Sequence, residues 1–301
     1  VVGVLGALAN IVNIIVFAKQ SFNSSVNVNL LCLSIADFGS LASLSWKSLS
    51  YIHVLLSWDL SYLGTDVIYV LAAVSRGTFT RIAWWITTLI TFERCLCIAM
   101  PLKIKHIVTP RSSTLALCLI LLVALAGVSP FLIARRIGDV STGNSTAVGF
   151  YYAENGPYLE SISTTYSVVA QLGSYILNAA CTGVIILQLR VKSTWRKGCG
   201  LAVGLNHARE LRDKRIAKMI SSISSLFIVC SFANCVSLVL VIAKVPGYSD
   251  AFASPTFLAV QEATITLEAV SSSVTNLVYY SMSSKYRETF DETFLHKTES
   301  R

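Results

Sequence analysis

The chain has 301 residues, of which 54% are hydrophobic and 13% charged, with a mean hydropathy of +0.64 and a net charge of +8. A soluble domain carries about 25% charged residues, so the composition excludes an ordinary globular domain and points to the lipid bilayer. The positive balance does not imply nucleic acid, because eighteen of the 24 lysines and arginines fall in alternate connections and the tail rather than in one stripe.

A helix needs about 20 apolar residues to cross hydrocarbon. Seven such stretches occur, at roughly 1–18, 28–52, 67–99, 113–134, 161–189, 215–243 and 256–281. The first opens at Val1, so a native segment is expected to precede it, and it carries Asn10. The second contains the run from Asn27 to Asp37 and then Lys47. The third carries Arg76 and Arg81, ends in Glu93-Arg94-Cys95 and is followed by Pro101 and Leu102. Charged groups inside a span are costly unless they meet water or one another, so each is a functional candidate.

After the fourth span comes the connection 135–160, whose Gly, Ser and Asn content predicts irregular structure. The connection 190–214 is strongly basic and contains Gly198-Cys199-Gly200, which predicts a flexible loop between two helix ends. The sixth span carries Phe227, Cys230 and Ser231, and the seventh carries Glu262, Glu268 and the run from Asn276 to Tyr280. Beyond it, Tyr286, Phe290 and Phe294 recur every four residues among charges, which predicts a short amphipathic helix on a membrane surface.

The basic connections alternate with acidic or neutral ones, and the excess of Lys and Arg marks the cytoplasmic side. The N-terminus is therefore expected outside and the C-terminus inside, in the plasma membrane. The sequon Asn144-Ser145-Thr146 falls on the expected outer side and makes Asn144 a glycosylation candidate. None of the eight cysteines lies in an outer loop, so no extracellular disulfide is available, and no metal-ligand spacing occurs. Asp37 in mid-span needs partners; Asn10 and Asn276 are candidates, and a sodium ion or waters could complete that interior polar site.

Taken in order, these features resemble the rhodopsin-like (class A) G protein-coupled receptors. Asn10 matches the family's span-one Asn, Leu33 to Asp37 its LxxxD, and Glu93-Arg94-Cys95 its acidic-Arg-aromatic motif with Cys in the third place. Pro101 and Leu102 match the following Pro-Leu. Phe227 to Ala233 stand where FxxCWxP is usual, and Asn276 to Tyr280 stand for NPxxY with Leu277 replacing Pro. The span-four Trp, the span-six Trp, the usual disulfide and the prolines of spans five to seven are missing. Such losses resemble divergent invertebrate peptide or chemosensory receptors.

The resemblance implies an all-α membrane protein, a seven-transmembrane helix bundle with a short amphipathic eighth helix. It implies a receptor domain over 1–282 and a helix 8 and cytoplasmic tail over 283–301. It further implies a non-enzymatic receptor that turns binding of an extracellular peptide or small-molecule ligand into activation of a heterotrimeric G protein. A receptor-like protein that no longer signals is the alternative; a transporter or channel is disfavoured by the odd span count and the lack of repeats. The family's switch maps to Glu93, Arg94, Asn276 and Tyr280. Asp213, fourteen residues before Phe227, stands where the family often carries an acid facing the span-three Arg. A resting lock of Arg94 with Glu93 and Asp213 is expected.

Arg76 precedes Arg94 by five helical turns, so the two share a face about 27 Å apart. If Arg94 faces the interior, Arg76 does so nearer the outer side, with Lys47 at similar depth, making Lys47, Arg76, Glu262 and Glu268 ligand-site candidates. Arg81 lies about 140° from that face. By resemblance, Arg76 stands where aminergic receptors carry an aspartate, which argues against monoamines and for a ligand with a carboxylate or other anionic group, or a peptide.

Overall fold

The computed structural model describes residues 1–55, 65–99, 108–142, 145–198, 206–243 and 255–295. The helices are α1 (Val2–Lys19), α2 (Ser25–Leu55), α3 (Thr65–Ala99), α4 (Pro110–Ala134), α5 (Gly156–Gly198), α6 (Asn206–Ile242), α7 (Pro255–Met282) and α8 (Ser284–Phe294). Strands β1 (Arg135–Thr142) and β2 (Ser145–Tyr152) lie between α4 and α5. Every apolar stretch read from the sequence is a helix, and most helices run past their apolar part. Six of them are long and apolar enough to cross a membrane. The seventh, α7, is more polar and packs against α1, α2 and α6, which makes it part of the same bundle.

Helix α3 is central and contacts α2, α4, α5 and α6, while α7 closes the ring onto α1. Lipid tails are as apolar as leucine, so helix association depends on close approach and on interhelical hydrogen bonds rather than on apolar burial. Two glycines show the close approach. A Cβ at Gly6 would overlap Ser273 of α7, and one at Gly127 would overlap the ring of Tyr166. At the second crossing Ser163 donates to the Gly127 carbonyl at 2.8 Å and Tyr166 to the Val123 carbonyl at 2.9 Å. The outward face of α4 carries Leu115, Leu119 and Leu122, all more than half exposed, as expected of side chains that meet acyl chains.

Two helix starts are set by local sequence. Thr109 and Ser112 form a capping box with Pro110 in the first turn of α4. Ser283 caps α8, its hydroxyl accepting the backbone N–H of Tyr286 at 3.2 Å, so the chain turns off α7 within one residue. Tyr286 is then fully buried against Phe17 and Tyr279, Phe290 is half-buried, and Phe294 is exposed.

The connection 135–160 is not irregular: it folds into an antiparallel hairpin with register from Arg135 opposite Tyr152 to Thr142 opposite Ser145. Val148 and Phe150 alternate with the smaller Ala147 and Gly149, and in the sequence Gly143-Asn144 stands between the strands, a dipeptide typical of hairpin connections. The β-branched and aromatic residues of this connection lie in the strands. The hairpin base is fastened by side chains. Glu160 accepts from Arg135 and from the Tyr152 hydroxyl, each at 2.7 Å, and the Arg135 guanidinium lies 4.6 Å from the Phe131 ring centre. The Glu160 carboxylate holds the Tyr152 phenol above its usual range by accepting its proton in a hydrogen bond.

Candidate functional site

A chain of polar side chains runs down the interior from the hairpin end of the bundle to the α8 end, with α7 as its spine. At the top, the buried Lys47 ammonium of α2 donates to Glu262 at 2.6 Å, and Glu262 is 55% exposed. About 9 Å deeper along α7, Glu268 accepts from Arg76 of α3 at 2.6 Å and from Asn234 of α6 at 2.6 Å. Both side chains of this second pair are buried to near nine-tenths, at 13% and 9% exposure. One carboxylate therefore ties α3, α6 and α7 together. The four residues singled out for a ligand meet as two ion pairs, and they lie at two successive depths rather than one.

Beneath Arg76 is an interior cavity lined by Asp37, Arg76, Trp84, Phe227, Ser231 and Glu268. Trp84 packs edge-on against Phe227 at 4.9 Å, so an indole reaches Phe227 from α3 although α6 carries Ser231 in place of the family Trp. Arg81 turns away from this cavity and donates to Ser167 of α5 at 3.1 Å, in keeping with its helical angle.

Asp37 lies on the cavity wall and accepts from the Ser272 hydroxyl at 2.9 Å. Asn10 does not meet this carboxylate; its amide donates to the carbonyls of Gly6 at 3.0 Å and Ser272 at 3.1 Å. Asn276 belongs to a separate cluster nearer α8, donating to Asn13 at 3.0 Å and to the Ala9 carbonyl at 3.2 Å. The Tyr286 hydroxyl donates to the same Asn13 oxygen at 2.7 Å. The expected site of Asp37, Asn10 and Asn276 is thus two linked clusters, because one turn of α7 separates Ser272 from Asn276 and each asparagine reaches only its own level.

At the α8 end the expected pairing of Glu93 with Arg94 is absent. Glu93 accepts from Asn29 of α2 at 3.0 Å and from Ser113 of α4 at 2.5 Å. Consecutive helical residues point about 100° apart, so the carboxylate faces α2 and α4 while Arg94 faces elsewhere. The Nε of Arg94 is buried with no hydrogen-bond partner. The side chain of Asp213 lies outside the described residues, as does Asn144. The described polar link between α3 and α6 at this level is Thr91 with Ser224, at 2.6 Å. Tyr280 reaches the helix beyond it: its hydroxyl donates to Asp291 at 3.4 Å and its ring packs edge-on against Phe290.

Sequence reasoning missed Asn13, Asn29, Ser113, Asn234 and Ser272. Asn13 had a signal, since it stands three residues after Asn10 on the same helix face. The others are single polar residues in apolar helices, with nothing local to distinguish them from ordinary serines and asparagines.

The sequence model described as 7 transmembrane receptor (rhodopsin family) matches residues 9–280. Lysophosphatidic acid receptor 4 of Homo sapiens is 23% identical over 234 residues, which cover 76% of this chain and 58% of that protein. The same receptor from Mus musculus gives the same identity and coverage. The chain thus spans 58% of the length of these curated relatives. The crystal structure of squid rhodopsin superposes with a TM-score of 0.70 over 97% of this chain and 78% of that one, at 15% identity. That likeness establishes the fold.

Proposed function

Because the chain belongs to the rhodopsin family of seven-transmembrane receptors, we propose that it binds an extracellular ligand bearing a phosphate or carboxylate and activates a heterotrimeric G protein. It sits in the plasma membrane with its N-terminus outside, its hairpin end receiving the ligand and its α8 end meeting the G protein. The observation that carries this reading is the Arg76–Glu268 pair above the interior cavity. A guanidinium held at the cavity by one internal carboxylate can also donate to a second anion, which competes for the same N–H groups. Glu268 is also bonded to Asn234 of α6, so an anion that draws Arg76 away loosens the tie between α3 and α6. Lys47 nearer the mouth adds positive potential on the way in.

The similarity to a lysophosphatidic acid receptor supports an anionic ligand, and a peptide with an acidic end would satisfy the same site. Asp37 and Ser272 offer oxygens to a sodium ion in the cavity. The test is a screen of the surface-expressed full-length receptor with lysophospholipids, fatty acids and acidic peptides, reading G protein activation. An anionic agonist is expected, and Arg76→Gln should lower its potency about a hundredfold at equal surface level, as for a lost charge-assisted pair. Activation by neutral or cationic ligands alone would overturn the anion assignment. Folded surface receptor with no G protein response to any agent that binds it would favour the non-signalling alternative.

A further inference from the structure

At the α8 end, α6 and the α7–α8 elbow enclose an open crevice lined by Arg215, Lys218, Ser281, Met282, Ser284 and Arg287. Three of its lining residues are cations, two are serines, and none is acidic. No side-chain hydrogen bond or ion pair joins Arg215, Lys218 or Arg287 to any described residue. Lys47, Arg76 and Arg135 each have a carboxylate within 2.7 Å, whereas the three crevice cations share one cleft with none among the described residues. The acids of α8 do not enter it: Asp291 accepts from Tyr280, and Glu288 and Glu292 are not among its walls.

The height of the crevice restricts what can fill it. Arg215 begins the apolar, membrane-compatible part of α6, which runs to Leu240. Met282 ends α7, and the amphipathic α8 leaves at once with Tyr286 buried. The three cations therefore sit where hydrocarbon gives way to headgroups, and Met282 gives the crevice an apolar wall on that border. Basic pockets between helices on the cytoplasmic side match polyphosphorylated lipid headgroups, with arginine forks well suited to phosphate oxygens.

We propose that this crevice binds the headgroup of a polyphosphorylated inositol lipid of the cytoplasmic leaflet, with Arg215, Lys218 and Arg287 on its phosphates and Ser281 and Ser284 as hydroxyl donors. The leaflet assignment rests on the orientation proposed above; the site does not depend on the ligand or G protein reading. A headgroup there touches α6 and α8 together, so it ties the composition of the leaflet to the spacing of the helix ends that a G protein must separate.

The full-length receptor, without G protein or agonist, is placed in nanodiscs of phosphatidylcholine doped with labelled phosphatidylinositol bisphosphate, and lipid binding is measured by energy transfer to the receptor. Parallel discs carry phosphatidylserine at matched charge, and a further arm adds soluble inositol trisphosphate as competitor. Wild type is expected to prefer the bisphosphate lipid over phosphatidylserine. The R215Q/K218Q/R287Q variant is expected to lose about a hundredfold in affinity, roughly fivefold per cation. The K19Q/R111Q/K285Q variant, which removes three cations outside the crevice, should bind as wild type. Equal loss in both variants would overturn the site in favour of diffuse surface charge. Full displacement by equimolar soluble inositol trisphosphate would overturn the lipid as its source. Unchanged melting temperature of the crevice variant separates lost binding from lost folding, and R215K/R287K, which keeps charge while removing the forks, should bind more weakly than wild type but more tightly than the triple glutamine variant.

Discussion

Glu93 accepts a 2.5 Å hydrogen bond from Ser113, so the acid next to Arg94 fastens α3 to α4 instead of neutralising its neighbour. Asn29 adds a bond from α2 at 3.0 Å, and the three helices share one carboxylate. Arg94 is thereby left without the acid beside it, its Nε buried and unbonded.

Ser113→Ala removes one donor from that carboxylate and should cost about 1.5–3 kcal/mol, the range for hydrogen bonds to charged groups. Glu93→Ala should cost more, because it strands two buried donors at once. Melting temperatures of the purified receptor check the order; a Ser113→Ala protein as stable as wild type would remove the contact.

Arg76→Ala should destabilise the receptor by about 3–5 kcal/mol, since it leaves Glu268 buried with Asn234 as its remaining described partner. Arg76→Met with Glu268→Leu should recover most of that loss, because neither charge is then stranded. A thermal double-mutant cycle reads the coupling, and additive effects would mean that the pair does not form.

Lys47→Met should change stability by less than about 1 kcal/mol, the range of exposed pairs. Its partner Glu262 is 55% exposed and is hydrated once released. A loss as large as that of Arg76→Ala would show that Glu262 is far less accessible than its geometry implies.

Tyr286→Phe removes the hydroxyl that donates to Asn13 and accepts from Asn276, at 2.7 and 3.3 Å, while leaving the ring in place. The expected result is faster amide exchange across α8 with the α1–α6 amides unaffected. Unchanged exchange in α8 would mean that ring packing against Phe17 alone holds the helix.

Arg135→Ala should free the hairpin base, since among the described residues Glu160 then retains the Tyr152 hydroxyl alone. Exchange of the β1 and β2 amides is expected to rise while the helices stay protected. In a chain whose described cysteines are free, this side-chain clamp joins the hairpin to α4 and α5.

The fold was legible in the sequence to the extent that its signals are local. Seven apolar runs, the Tyr286-Phe290-Phe294 spacing and the ordered family motifs determine a receptor bundle with its short last helix. Helical period put Arg76 on the face of Arg94 and Arg81 about 140° from it, so with Arg94 taken to face the interior Arg76 was expected there as well. The hairpin runs against the expected irregular structure because Gly, Ser and Asn mask the alternation of Val148 and Phe150 with Ala147 and Gly149. What only the tertiary structure decided is partnership. Arg76 and Glu268 stand 192 residues apart in the chain, and Asn29 and Glu93 stand 64 apart. Hydrophobic period tells which way a side chain points, but a hydrogen bond also needs a partner at the same depth on another helix. That depth is set by how α2, α3, α4, α6 and α7 slide and pack against one another, which no single segment encodes.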